Sequence, residues 1–95
     1  MLQELFAIIK DRQAQPSEGS YTARLLTSGQ DVILKKVGEE AMEVILAAKG
    51  QGNQRVVEEV ADLFYHTLVL LAQCDLSLDD VEAELRRRHM RRQAP

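Results

Sequence analysis

Apolar residues recur at spacings of three and four along most of the chain, the period of a helical face. Leu2, Leu5, Phe6 and Ile9 open the pattern and predict a first helix that stops before the polar stretch at 14–19. Residues 20–27 predict a short helix with Gly29 as its C-cap. A long helix is expected over about 30–49, closed by the Gly50, Gln51, Gly52 turn, and a second over about 54–73. Asp75, Leu76 and Ser77 break the period. Ser77 is an N-cap type with Asp80 three residues on, so a last helix is expected over roughly 78–90. No stretch alternates with the period of a strand. The expected fold is all-α: an antiparallel hairpin of two long helices with shorter flanking helices.

Angular positions on the two long helices carry the chemistry. At about 100° per residue, Ile33, Val37, Ala41, Val44 and Ala48 share an apolar stripe. Glu40 and Glu43 lie roughly 60° apart on its flank, and Lys36 falls between them one turn earlier. On the next helix Val56, Val60, Leu63, Thr67 and Leu71 form the expected core stripe, flanked by Glu59 and Asp62, with His66 one turn beyond. Residues equidistant from the turn face each other, so Glu43 meets Glu59 and Glu40 meets Asp62. Four carboxylates are expected at one level.

Glutamate on a helix is ordinarily a solvated helix former, which suffices for Glu39 or Glu58. Two i, i+3 acid pairs beside an apolar stripe repel one another, and a cation placed between them removes that cost. Oxygen ligands without soft partners suit Mg²⁺, with Mn²⁺ as a substitute. A di-iron bundle is disfavoured, because His66 follows Asp62 at i+4 and not at i+3.

Composition narrows the classes. The sequence has 95 residues, 45% hydrophobic and 28% charged, which is a soluble globular balance and a single domain over 1–95, its core about 2–90. With Cys74 alone, neither an intramolecular disulfide nor a cysteine-based zinc site is available. No apolar run is long enough for a membrane span, and no basic segment precedes the first apolar residues, so the expected setting is cytoplasmic. Net charge is −3, and five of the twelve basic residues fall in 86–92. That is a helix end complementing its dipole, and too little for a nucleic-acid footprint. Met42, Leu46, Tyr65 and Val69 lie away from the core stripes. An isologous homodimer is expected to cover them.

The run Glu39-Glu40-x-x-Glu43, followed by Glu59-x-x-Asp62, resembles the signature of the all-α nucleoside triphosphate pyrophosphohydrolases, the MazG-like superfamily. Gly19-Ser-Tyr-Thr22, the Tyr65-His66 pair after the second acidic motif, and the segment from Leu76 to Val81 are similar to one branch, the phosphoribosyl-ATP pyrophosphohydrolases of histidine biosynthesis. The resemblance implies Mg²⁺-dependent hydrolysis of phosphoribosyl-ATP to phosphoribosyl-AMP and pyrophosphate, by a homodimer. It implies Glu40, Glu43, Glu59 and Asp62 as metal ligands, with Glu39 and the ligands Glu40 and Glu43 serving catalysis. Glu39 is a general base, an orienting group or a solvated acid. Lys36, Lys35 and Arg24 are candidates to meet phosphate, and Tyr21 and Thr22 to close over the nucleotide. Lys36 has an alternative as the i+4 partner of Glu40. His66 either touches substrate or is a satisfied helix-flank histidine. A house-cleaning triphosphatase on the same scaffold and a non-catalytic helical dimerisation or nucleotide-sensing module are the competing readings. Following the same resemblance, the cyclohydrolase step, associated with a Cys-bound zinc, is expected on another polypeptide.

Overall fold

A computed structural model describes residues 1–93, with side chains through Met90. It holds five helices: α1 (Leu2–Ala14), α2 (Tyr21–Thr27), α3 (Gln30–Gly50), α4 (Asn53–Gln73) and α5 (Leu78–Gln93). No strand occurs among the described residues, and no helix there is long and apolar enough to cross a membrane. The expected all-α class and the α3–α4 hairpin are both present. The two long helices pack along their length, with Gly52 at φ 93° supplying the left-handed backbone that starts α4.

The core sits at the open end of this hairpin, away from its turn. Phe6 and Ile9 of α1, Leu25 of α2, Ile33 of α3, Leu68, Val69 and Ala72 of α4, and Leu78 are buried together there. Because α1 lies against α4 and α2 touches α1, α3 and α4, the face of α4 that is buried differs from the expected one. Thr67 is exposed, and Val56, Val60, Leu63 and Leu71 are only half-buried. Val69, expected on an open patch, is 0% exposed. The periodicity located two apolar faces on α4, and the short helices decided which one became the core. On α3 the stripe ends at Ala47, which is buried, and not at Ala48, which is exposed.

Helix ends follow side-chain chemistry. The Ser20 Oγ accepts from the Ala23 N–H at 3.1 Å, capping α2. Ser28 is the C-cap of α2, while Gly29, at φ 103°, serves instead as the N-cap of α3. Ser77 and Asp80 form the expected reciprocal box: the Ser77 Oγ accepts from the Asp80 N–H at 3.2 Å, and Asp80 Oδ2 accepts from the Ser77 N–H at 2.8 Å. At the end of α4 the Asp75 N–H reaches the Ala72 carbonyl and the Leu76 N–H reaches that of Leu71, a Schellman closure. Asp75 takes its left-handed position at φ 59°. Glycine has no Cβ penalty there, so Asp75→Gly is expected to stabilise the fold by about 0.5–1 kcal/mol. A chemical-denaturation midpoint that falls on this substitution would contradict that reading of the closure.

The basic end of the chain is a solvated helix as far as it is described. Arg87 and Arg88 both hydrogen-bond to Glu84, and their guanidinium groups hold its carboxyl down at about 2. The side chains of Arg91 and Arg92 lie outside the described residues.

Candidate active site

Midway along the hairpin, α3 and α4 present Glu40, Glu59 and Asp62 to one another. One carboxylate oxygen from each lies within 4.8 Å of the others. The i, i+3 spacing of Glu59 and Asp62 puts both on the side of α4 that faces α3. Glu59 is 6% exposed, and a buried carboxylate needs a partner. Arg55, one turn earlier on α4, bonds to it and to Glu58. On α3, Lys36 Nζ stands 3.4 Å from Glu40 and 3.9 Å from Glu39. Burial alone would lower the Lys36 ammonium, but the hydrogen bond to Glu40 and the neighbouring Tyr21, Glu40 and Glu39 raise it above its ordinary value. Asp62 has no ion-pair partner among the described residues. Lys36 and Arg55 also serve Glu39 and Glu58, so five carboxylates share two cations and the group stays negative.

The expected meeting of four carboxylates is therefore a meeting of three. Glu43 matches Glu59 in distance from the turn, but its turn around the α3 axis leaves it half-buried outside the group. Glu39 is exposed beside Lys36. The i+4 pairing of Lys36 with Glu40 is the arrangement found, and Lys35 is exposed on the neighbouring face.

A second constellation braces α2 against α4. The Tyr21 hydroxyl lies 3.0 Å from His66 Nε2, and His66 Nδ1 lies 2.8 Å from the Asp62 carbonyl oxygen. A carbonyl only accepts, so Nδ1 carries a proton, and in the neutral ring Nε2 accepts from Tyr21. His66 is buried and both ring nitrogens are occupied, the satisfied arrangement of a helix-flank histidine. Thr22 hydrogen-bonds to the Tyr65 hydroxyl, whose pKa burial pushes up. Tyr21 stacks on Tyr65 with ring centroids 6.2 Å apart, and the Arg24 guanidinium lies over Tyr21 at 5.8 Å. Tyr21, Thr22 and His66 are thus brought together next to Asp62 as a bracket for α2.

Residue-by-residue reading missed Arg55 and the hydroxyl role of Tyr65. Arg55 stands at i−4 from Glu59, a detectable pairing, but its weight depends on Glu59 being buried, which only packing decides. Tyr65 was expected only as one of the apolar-side residues a second copy would cover, and its bond to Thr22 joins residues 43 apart in the chain.

The all-oxygen group at Glu40, Glu59 and Asp62 fits a hard divalent cation, having neither sulfur nor imidazole among its donors. A family model described as phosphoribosyl-ATP pyrophosphohydrolase matches residues 2–89. The chain belongs to this family. A phosphoribosyl-ATP pyrophosphatase of Listeria welshimeri is 59% identical over 88 residues, 93% of this chain and 84% of the relative. One of Geotalea daltonii is 53% identical over 88 residues, 93% of this chain and 83% of the relative. The match also extends to the histidine biosynthesis bifunctional protein HisIE of Gloeobacter violaceus, 53% identical over 87 residues, which are 92% of this chain and 39% of that longer protein.

Proposed function

We propose that this protein hydrolyses phosphoribosyl-ATP to phosphoribosyl-AMP and pyrophosphate, the step in histidine biosynthesis that its relatives' names describe. The observation that carries the site assignment is the approach of Glu40, Glu59 and Asp62, with more carboxylates than cations around them. A triphosphate cannot lie against bare carboxylates, so the site calls for Mg²⁺, or Mn²⁺ in its place, held by these three residues. Glu43, one turn along α3, is the next carboxylate of the same flank and is assigned to the edge of the ligand set. Such an ion supplies Lewis acidity at phosphoryl oxygens and neutralises the polyphosphate.

The chain's own groups then divide the work. Glu40, Glu59 and Asp62 fix the position of the charge. Lys36 and Arg55, now paired to Glu40 and Glu59, place two positive charges beside it. Glu39 is the exposed carboxylate next to Lys36 and is assigned to orienting the attacking water. Water's oxygen joins one phosphorus, the bridging oxygen departs with the other phosphoryl group, and the water's proton is released. The His66 to Asp62 carbonyl bond and the Tyr21 and Thr22 contacts hold α2 beside this centre.

A homodimer in a cytoplasmic setting completes the reading. Val57 is 63% exposed and Phe64 50%, with Met42, Ile45 and Leu46 also open, apolar side chains on the two long helices that a second copy would cover. A second copy of the chain burying them gives a molecular mass twice that of the 10.7 kDa chain in light scattering.

Two experiments bear on the proposal. Millimolar Mg²⁺ is expected to raise the melting temperature, because an ion bound only by the folded state stabilises it by mass action. An unchanged melt would argue against a preformed ion site. Phosphoribosyl-ATP is expected to be cleaved in preference to a panel of ordinary nucleoside triphosphates. Equal turnover across the panel would keep the acidic site and discard the phosphoribosyl-ATP assignment in favour of a house-cleaning triphosphatase.

A further inference from the structure

A groove between α2 and α3 opens directly beside the acidic group. It is shallow and open to solvent, with a volume of about 340 Å³, and is lined by Tyr21, Arg24, Leu25, Ser28, Val32 and Lys36. Its charged residues are Arg24 and Lys36, and no carboxylate lines it. Three other grooves each carry at least one: Asp79 and Glu82, Asp80 and Glu84, or Glu82. Lys36 belongs to both places, since it lines the groove while its Nζ lies 3.4 Å from Glu40. An anion in this groove is therefore next to the site of bond cleavage.

The groove is poorly suited to a base. Its one aromatic ring, Tyr21, already carries the Arg24 guanidinium on its face, stacks on Tyr65 and meets the edge of His66. The remaining recognition elements are two cations and the Ser28 hydroxyl, of which the hydroxyl donates to the Leu25 carbonyl at 2.8 Å. The volume is at the small end of ligand pockets, about 300–1,000 Å³, and suits a hydrated diphosphate better than a whole nucleotide. The bracket of Tyr21 to His66 and Thr22 to Tyr65 fixes the helix that carries Arg24. Positive charge held in place before a leaving group departs stabilises the charge that develops on it.

Resting on the phosphoribosyl-ATP reading above, we infer that the α2–α3 groove is the subsite of the departing pyrophosphate, held by Arg24 and Lys36, while the nucleoside part of the substrate lies on the other side of the acidic group. Arg24 meets a phosphoryl oxygen of the β,γ unit. Lys36 spans the boundary between that unit and Glu40.

Equilibrium titration of the two products into the intact protein, each with Mg²⁺, separates this assignment from others. Arg24→Ala removes an exposed side chain and is expected to weaken pyrophosphate binding by about tenfold, the scale of one charge-assisted hydrogen bond. Phosphoribosyl-AMP affinity is expected to change less than about twofold, since that product lacks the β,γ unit. Arg24→Lys, which keeps the charge and loses the fork, is expected to fall between wild type and Arg24→Ala. A thermal melt confirms that the variants are folded, and if Arg24→Ala is not, Arg24→Lys and Arg24→Gln replace it. Weakened phosphoribosyl-AMP with unchanged pyrophosphate would overturn the inference and place the other half of the substrate in the groove. Two unchanged affinities, or a wild-type protein that binds no pyrophosphate, would overturn it as well. Failure of the wild type to cleave phosphoribosyl-ATP, with pyrophosphate binding and its Arg24 dependence intact, would sink the functional reading and leave the groove a diphosphate site that serves no such cleavage.

Discussion

Glu59→Gln and Asp62→Asn are each expected to lower turnover of phosphoribosyl-ATP by about 10³-fold or more, the scale of several kcal/mol of lost charge stabilisation. The helical fold is expected to survive both changes. Glu59 is buried, but its amide replacement keeps the shape and leaves a carbonyl oxygen for Arg55. Asp62 is exposed, and it contributes to the bracket through its main-chain carbonyl, which the substitution does not touch. Removing one of three mutually repelling acids also relieves strain among the rest. The metal-free melting temperature is therefore expected to hold or rise while activity collapses. Far-ultraviolet circular dichroism and a pyrophosphate-release assay on the same preparations read both properties. Near-wild-type turnover in both variants would remove these residues from the ligand set.

Ile33→Ala is expected to be the most damaging single change to stability, at about 2–5 kcal/mol. Ile33 is 0% exposed and belongs to the core cluster formed with α1, α2 and the last turns of α4. Truncation there leaves a cavity bounded by helices that cannot close over it without moving. Domains of this size are stable by only about 5–15 kcal/mol, so the change removes a large share of the total. It also lies at the start of the helix that carries Lys36 and Glu40, so loosening it should blur the site. Urea denaturation with the wild type and Ile33→Val as references measures the loss. A midpoint within error of the wild type would mean that this end of the hairpin is not the core.

Much of this was legible from the residues in order. Helix period, the Gly50, Gln51, Gly52 turn and the Ser77–Asp80 box are local features, and local chemistry decides them. The acidic motifs were legible because antiparallel geometry turns distance from a turn into height. Azimuth was harder. Glu43 and Glu40 differ by three positions, and only packed coordinates show that Glu40 joins Glu59 and Asp62 while Glu43 stays outside. The same limit hid the core face of α4. Val69 and Leu71 are equally apolar, and the docking of α1, far away in sequence, buries Val69 fully and Leu71 partly. His66 was left between two roles, and the partner that occupies its Nε2, Tyr21, is 45 residues away. Long-range hydrogen bonds of this kind leave no periodic trace.

The central claim is a metal-dependent cleavage between the α- and β-phosphates, performed at the Glu40, Glu59 and Asp62 group. Phosphorus-31 magnetic resonance of phosphoribosyl-ATP incubated with the protein tests it most directly, with Mg²⁺ in one sample and a chelator in the other. The account predicts phosphoribosyl-AMP and pyrophosphate in equal amounts in the first sample and intact substrate in the second. Orthophosphate with a phosphoribosyl-ADP product, or equal cleavage in the presence of chelator, would contradict it.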